Sequence, residues 1–215
     1  CVLSSINVAK WDEIEATDAI ETLVMFLDTV VTEFINKTAG KPYFARAHKF
    51  AVRHRALGAG ILGWHSLLQS KMMAFEGTEA AKLNLHIAKT FKARTYAASA
   101  ELAGMFGEPE LLKGYGRRNT TLMAIAPTKS SSFILGQVSQ SIEPEFSNCY
   151  VKDLAKMKVT IKNPFLLKLL QEKGQDKPEV WDQIRNNDGS VQKLDVLTDE
   201  EKEVFKTFSE INPEA

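Results

Sequence analysis

Arg55-Ala56-Leu57-Gly58-Ala59-Gly60-Ile61-Leu62-Gly63-Trp64 is the stretch on which the fold turns. It is apolar throughout after Arg55, and glycine recurs in it at short intervals. The interior of a helix tolerates glycine poorly. A short strand accepts it where other backbone must lie close against the sheet. The spacing therefore predicts a strand here, packed tightly by neighbouring backbone.

Working outward, long helical patterns lie on both sides. Between residues 12 and 37, Ile20, Leu23, Val24, Leu27, Val30, Val31, Phe34 and Ile35 recur at three- and four-residue spacing, which predicts an amphipathic helix. Asp12 followed by Glu15 resembles a capping box with Asp in the place of Ser or Thr, and Thr38-Ala39-Gly40-Lys41-Pro42 closes the helix. A second helix is expected from Thr78 to about Gly107, with Leu83, Ile87, Phe91, Ala98, Leu102 and Phe106 on one side. Leu122-Met123-Ala124-Ile125-Ala126, bounded by Thr121 and Pro127, reads as a buried strand. Met157, Val159 and Ile161 alternate with Lys158, Thr160 and Lys162, the pattern of a half-exposed strand. Shorter helices are expected near 164–173, 178–187 and 199–209, with a turn at Asn187-Asp188-Gly189 between the last two. Helices alternating with buried strands argue an α/β architecture. Neither an internal repeat nor a low-complexity tract interrupts it.

Composition narrows the class. With 44% hydrophobic residues in 215, the chain has enough apolar side chain for a real core. Lys+Arg and Asp+Glu are each 27, so no basic excess points to nucleic acid. No apolar run approaches the roughly 18 residues of a membrane span, and no signal-peptide pattern opens the chain. The two cysteines, Cys1 and Cys149, do not make a disulfide scaffold and leave room for thiol chemistry. These features together predict a soluble cytoplasmic protein. The chain opens on Cys1 inside Cys1-Val2-Leu3-Ser4-Ser5-Ile6-Asn7-Val8, a segment that reads as strand or packed loop. Domains usually begin with loose polar residues, so the expectation is a fragment boundary or the residue that follows an intein.

Three groups are candidates for chemistry. Pro127-Thr128-Lys129-Ser130-Ser131-Ser132 places five successive polar residues, four of them hydroxylic, at an expected helix start before Phe133-Ile134-Leu135. Free N–H groups and the helix dipole there suit a phosphate, and the same hydroxyls also suit simple capping. Cys1 reads either as a small buried apolar residue or as a redox thiol. Cys149 is open to the same two readings. His48, His54, His65 and His86 show no metal-ligand spacing, so no metal site is expected. Arg53-His54-Arg55 and Arg117-Arg118 read as solvated or ion-paired turns, with contact to a substrate phosphate as the lesser alternative. The sequence has no Gly-rich dinucleotide or P-loop fingerprint.

Several of these segments, in order, resemble the large subunit of class I ribonucleotide reductases. Cys1-Val2-Leu3-Ser4-Ser5-Ile6-Asn7 resembles the family's Cys-x-Leu-Ser segment. Arg53-His54-Arg55-Ala56-Leu57-Gly58-Ala59-Gly60 is similar to its Arg-x-x-Gly-x-Gly strand. Arg118-Asn119-Thr120-Thr121-Leu122, running into Pro127-Thr128-Lys129-Ser130-Ser131, resembles its Arg-Asn-Ser segment and phosphate loop. Ser141-Ile142-Glu143-Pro144, Asn163-Pro164-Phe165-Leu166-Leu167 and Asn187-Asp188-Gly189-Ser190-Val191 match further segments, so the resemblance covers nearly the whole chain.

The resemblance implies part, roughly half, of a ten-stranded α/β barrel with surrounding helices. Residues 1–215 would be the C-terminal portion of that barrel domain, without an internal boundary. In the family a finger-loop cysteine becomes a thiyl radical and takes a ribose hydrogen; the 2′-hydroxyl leaves as water, and a cysteine pair supplies two electrons. By matching position Cys1 is the downstream member of that pair, while Pro127, Thr128, Lys129, Ser130 and Ser131 lie on the substrate phosphates. Cys149 matches nothing catalytic. The implied substrate is a ribonucleoside diphosphate, and no cofactor is expected on this chain itself. The implied partners are a small radical-generating subunit with a metal centre, thioredoxin or glutaredoxin as dithiol reductant, and a second large subunit in a homodimer. Neither nucleic acid nor membrane is expected. The finger-loop cysteine, the other reducing cysteine and the ATP-responsive effector regions would lie upstream of Cys1. The radical-relaying tyrosine pair and the mobile cysteine tail would follow Ala215. Gly107–Gly114 is shorter than in many members. The chain alone is therefore expected to be inactive. The alternatives are a cobalamin-dependent reductase, which shares barrel and thiols, and a non-catalytic phosphate-binding relic.

Overall fold

In the computed structural model, which describes residues 1–154 and 157–214, two parallel strands carry the frame. The chain begins with β1 (Val2–Asn7), passes a 3-10 turn at Val8–Lys10 and α1 (Trp11–Ile14), then runs through α2 (Ala19–Thr38) and α3 (Ala45–His54) into β2 (Leu57–Leu62). β1 and β2 pair in parallel from Val2↔Leu57 to Asn7↔Leu62, so the helices between them form a crossover. α4 (Trp64–Ser70) and the long α5 (Thr78–Phe106) follow. The expected strand at 55–64 and the expected helix from Thr78 are both present.

The close approach of backbone predicted from the glycines is also present. A Cβ on Gly58 would lie 2.4 Å from Leu3 Cδ2 and 2.9 Å from Ala124 Cβ. One on Gly60 would lie 2.4 Å from the Ala124 carbonyl oxygen. The neighbour responsible is residues 121–124, an extended stretch on the far edge of β2. There Leu57 N–H donates to Thr121 O (3.0 Å), Ala59 N–H to Leu122 O (2.8 Å) and Ala124 N–H to Ala59 O (3.0 Å). This stretch forms a single parallel bridge, Ala59↔Met123, rather than a regular strand. It is also not buried throughout as expected: Leu122 and Ala126 are inside, whereas Met123 is 42% and Ile125 73% exposed. Met123 and Ile125 line an open cleft with Ala59, Ile61, Ile87 and Phe91, so alternate side chains face out.

The helix expected from residue 12 begins instead at Ala19. Thr17 turns the chain, its hydroxyl donating to Ile14 O and accepting from Ala19 N–H. The Arg94 guanidinium of α5 binds the carbonyls of Glu15 and Thr17 and the carboxylate of Glu21. The capping box does not form, because Asp12 pairs with Lys71 and Glu15 with His86. Farther along, α2 buries Ile20, Val24, Leu27 and Val31 against Leu57, Ala59, Leu67, Ile87, Phe91 and Leu102, one continuous core.

The second half of the chain opens with α6 (Lys129–Ile134) and continues through β3 (Cys149–Leu154), β4 (Met157–Lys162), α7 (Pro164–Glu172), α8 (Pro178–Asn186) and α9 (Asp199–Val204). β3 and β4 form an antiparallel pair. Val159 and Ile161 are half-buried as the alternation predicts; the Met157 side chain, part of the same expectation, lies outside the described residues. A second core gathers Cys149, Leu166, Leu170, Trp181, Ile184, Val191 and Phe205. The last helix stops at Val204, short of 209, because Thr207 and Glu210 form a capping box of their own around a 3-10 turn at Phe208–Glu210. Buried amides join the two cores. Asn163 Nδ2 donates to Gln69 Oε1 (2.9 Å) and to Asn148 Oδ1 (3.0 Å), while its own Oδ1 caps α7.

Candidate functional site

In the parallel register, Leu3 stands beside Gly58 and Ser5 beside Gly60, and alternate residues of a strand share a face. The odd-numbered residues of β1, Cys1 at its head included, therefore share a face with the even-numbered residues of β2. Contacts at the glycines agree. The vacant Cβ position of Gly58 lies 3.5 Å from Cys1 Sγ and 2.9 Å from Ala124 Cβ, and that of Gly60 lies 3.1 Å from Ser5 Oγ. Glycine at 58 thus makes room for Leu3 and Ala124, and the Cys1 thiol lies in ordinary contact distance of the same spot, beside a residue three positions ahead of Pro127. Cys1 is exposed and Cys149 buried; both are free thiols. Burial pushes the Cys149 thiol up, against the pull of Arg185 and Lys162, which keeps it protonated and unreactive.

The hydroxyl-rich turn forms where the chain leaves β2's edge. Thr128 precedes α6 with φ of 46°, a left-handed conformation uncommon for a β-branched residue. Its hydroxyl makes no capping bond to the helix; instead it accepts from Ser141 N–H at 2.9 Å. Lys129, Ser130 and Ser131 are exposed, and Ser132 turns inward to donate to Lys129 O. As at every helix start, the first N–H groups have no intrahelical partner. The turn thus presents N–H groups, two exposed hydroxyls and one ammonium together, a set suited to an anion. α6 itself sits over the C-terminal ends of β1 and β2. Asn7 Nδ2 donates to Leu135 O (3.1 Å), Gly63 N–H to Ser139 O (2.9 Å), and Ser66 and Ser139 exchange two hydrogen bonds.

Cys1 lies at the N-terminal end of β1, and the turn leads into a helix that sits beyond the C-terminal ends of β1 and β2. The six residues of β1 between them span about 20 Å. They do not touch each other; a ligand reaching from one toward the other would lie along the glycine-lined face.

The arginines lie elsewhere. Arg55, at φ 44°, and Arg118 close on the carboxylate of Asp28, which is 4% exposed in the middle of α2. Arg55 Nε and Nη2 donate to Asp28 at 2.9 and 2.8 Å, Arg118 Nε at 2.9 Å, and Asn119 Nδ2 at 2.9 Å. Burial alone would raise the Asp28 pKa, but these donors together hold it below the usual carboxylate range. Of the expected solvated or ion-paired turns, Arg55 and Arg118 are ion-paired in a buried cluster and Arg53 pairs with Glu110 at the surface, while Arg117 lies over the Tyr96 ring and His54 stacks on Phe50. Asp28 on the buried stripe of α2, one place after Leu27, was the readable signal for it.

Sequence reasoning also missed a small polar pocket of about 40 Å³ between α6 and the β3–β4 hairpin, lined among others by Lys129, Ser132, Glu145, Tyr150, Lys152 and Asn163. Burial pushes the Glu145 carboxyl up to about 7. Its backbone N–H donates to His65 Nδ1 (2.9 Å), and burial holds that ring down to about 4, so it is neutral. Among the described residues no three His, Cys, Asp or Glu side chains are grouped to hold a metal, and no helix is long and apolar enough to cross a membrane.

Comparison with known proteins follows the same lines. The family described as "Ribonucleotide reductase, barrel domain" matches residues 1–113 and 109–215. The ribonucleoside-diphosphate reductase large subunit of Invertebrate iridescent virus 6 is 40% identical over 99% of this chain, which covers 22% of that protein. That of Danio rerio is 30% identical over 99% of the chain, which covers 31% of it. The Actinobacillus ureae class Id ribonucleotide reductase alpha subunit superposes with a TM-score of 0.90 at 60% identity, covering 97% of this chain and 38% of that one. The chain thus spans well under half the length of these relatives.

Proposed function

Because the chain belongs to the ribonucleotide reductase barrel-domain family, we propose that it is the C-terminal part of the barrel of a class I ribonucleoside-diphosphate reductase large subunit, residues 1–215 forming one continuous portion. Cys1 is one of the two thiols that reduce the ribose. Pro127, Thr128, Lys129, Ser130 and Ser131 hold the substrate's phosphates. The observation that carries this reading is that Cys1 Sγ and Ala124 Cβ both lie against Gly58, and the hydroxyl-rich turn begins three residues after Ala124.

In the proposed reaction, a thiyl radical from another part of the subunit removes a hydrogen from the ribose of a ribonucleoside diphosphate. The 2′-hydroxyl takes a proton and leaves as water. The two thiols give up two electrons and two protons and become a disulfide, and the hydrogen first removed returns to the sugar. This chain's share is twofold. Its thiol supplies one of the two sulfur atoms, and its turn fixes the nucleotide, where positioning lowers the barrier. Thioredoxin or glutaredoxin then reduces the disulfide by exchange, and a small subunit with a metal centre supplies the radical. Two complete large subunits form the homodimer, in the cytoplasm. The relatives' names, a ribonucleoside-diphosphate reductase large subunit in two and a class Id alpha subunit in the third, favour this class over a cobalamin-dependent one, and an exposed thiol on the glycine-lined face has no use in a phosphate-binding relic.

The test is ribonucleotide reduction by the complete large subunit with its radical-supplying partner and a dithiol. Cys1→Ser should stop multiple turnover, and Ser130→Ala with Ser131→Ala should raise KM. A subunit that binds nucleotide and never yields deoxyribonucleotide would overturn the reading.

A further inference from the structure

The thiol and the phosphate turn lie on segments far apart in sequence, and something must fix the distance between them. We infer that Asn7 is the positioning residue that does so, an inference resting on the phosphate reading of the Pro127–Ser131 turn. β1 begins beside Cys1 and ends at Asn7, and it is hydrogen-bonded to β2 along its whole length. It is a spacer that cannot shorten. Whatever α6 is tied to at the far end of β1 therefore sets where the turn stands relative to the thiol.

That tie is the Asn7 side chain. Its Oδ1 accepts from Ala9 N–H at 3.0 Å, which fixes the plane of the amide and sends Nδ2 outward. Nδ2 donates at 3.1 Å to the carbonyl of Leu135, the residue that caps the C-terminal end of α6. The last carbonyls of a helix lack intrahelical partners, so the bond satisfies an acceptor and pins the helix by its end. Glycine at 63, with φ of 82°, leaves the place the amide occupies, since a Cβ there would lie 2.6 Å from Asn7 Oδ1. The loop after α6 is fastened near the same place by the paired hydrogen bonds of Ser66 and Ser139, and it returns to Thr128 through the Ser141 N–H. α6 is thus held at its C-terminal end by Asn7 and before its first turn by Ser141. Asn7 is the one of these residues that belongs to the strand bearing the thiol.

Asn7→Asp separates this role from local folding. The carboxylate still accepts from Ala9 N–H, but it sets an oxygen against Leu135 O. In the complete subunit, the KM for the ribonucleoside diphosphate and the inhibition constant of inorganic pyrophosphate should both rise, by about three- to tenfold, the worth of one hydrogen bond. kcat at saturating substrate should change by less than about twofold. Amide exchange should quicken in residues 129–137 and stay unchanged along β2. Asn7→Ser, which keeps a short acceptor and cannot reach Leu135, should give the same pattern if the aspartate perturbs folding. If Ser130→Ala with Ser131→Ala raises both constants while neither Asn7 variant does, the positioning role is wrong and the phosphate reading stands. If the serine variants also leave them unchanged, the phosphate reading falls and takes this inference with it. A fall in kcat at constant KM in the Asn7 variants would likewise overturn the role assigned here.

Discussion

On one face of the β1–β2 sheet, Val2, Ile6, Leu57 and Ala59 lie against helices in a closed apolar core with Val24, Leu27, Ile87 and Phe91. On the other, Cys1, Leu3 and Ser5 stand beside Gly58 and Gly60, with Cys1 exposed and Leu3 51% exposed. The same two strands therefore carry the core on one side and, in the proposed function, the chemistry on the other. Period-two alternation makes this division available to any strand. Here the glycines sharpen it, since they give up side-chain packing on the Cys1 face to admit Leu3 and the backbone of Ala124.

Substitutions on the two faces should accordingly fail in different assays. The largest effect belongs to the open face: Cys1→Ser should lower multiple-turnover reduction by at least about a thousandfold while leaving thermal unfolding unchanged. On the closed side, Asp28→Ala should cost about 3–5 kcal/mol in denaturant unfolding of the complete subunit, because it strands Arg55 and Arg118 without their buried partner. Equal stability of that variant would mean the cluster is dispensable. Gly60→Ala breaks the division itself. Its methyl meets the Ala124 carbonyl, and it should cost about 1–3 kcal/mol together with activity, since the edge carrying the Pro127–Ser131 turn must shift.

The smallest effect is a pH dependence at the junction of the two cores. Glu145 binds its proton more tightly folded, at about 7, than at its ordinary 4.5. Its contribution is therefore complete below about 4.5 and is lost as pH rises through about 7. His65 runs the other way: held near 4 by burial, it contributes above its ordinary 6.5, and that contribution is lost as pH falls toward 4. Glu145→Gln should be more stable than the parent by about 1–3 kcal/mol at pH 8 and not at pH 4. Chemical denaturation at the two pH values checks this, and a gain independent of pH would contradict it.

The long periodic elements were legible in the sequence for simple reasons. The helix expected from Thr78 to about Gly107 ends at Phe106, and the strand read from Gly58 and Gly60 runs from Leu57 to Leu62, because periodicity and glycine spacing are local signals. β3 was not legible: Cys149-Tyr150-Val151-Lys152-Asp153-Leu154 mixes charge into a strand that owes its pairing to β4. The late start of α2 was hidden too, since Arg94, which binds the turn before it, comes from another helix. At the site, residue types could be read but not their joint placement. Cys1 and the Thr128–Ser131 turn were visible as candidates; Asn7, Ser141 and Glu145 gain their meaning from partners far away in sequence.

The claim that the open face is half of a reductase site meets its most direct test in a single-turnover experiment. The fully reduced complete large subunit would be mixed with its radical-supplying partner and a ribonucleoside diphosphate, with no external dithiol present. Deoxyribonucleotide would be counted and the cysteines mapped by differential alkylation. A disulfide at Cys1 forming in step with product, while Cys149 stays a free thiol, is the predicted result. Product forming while Cys1 remains a thiol would contradict it.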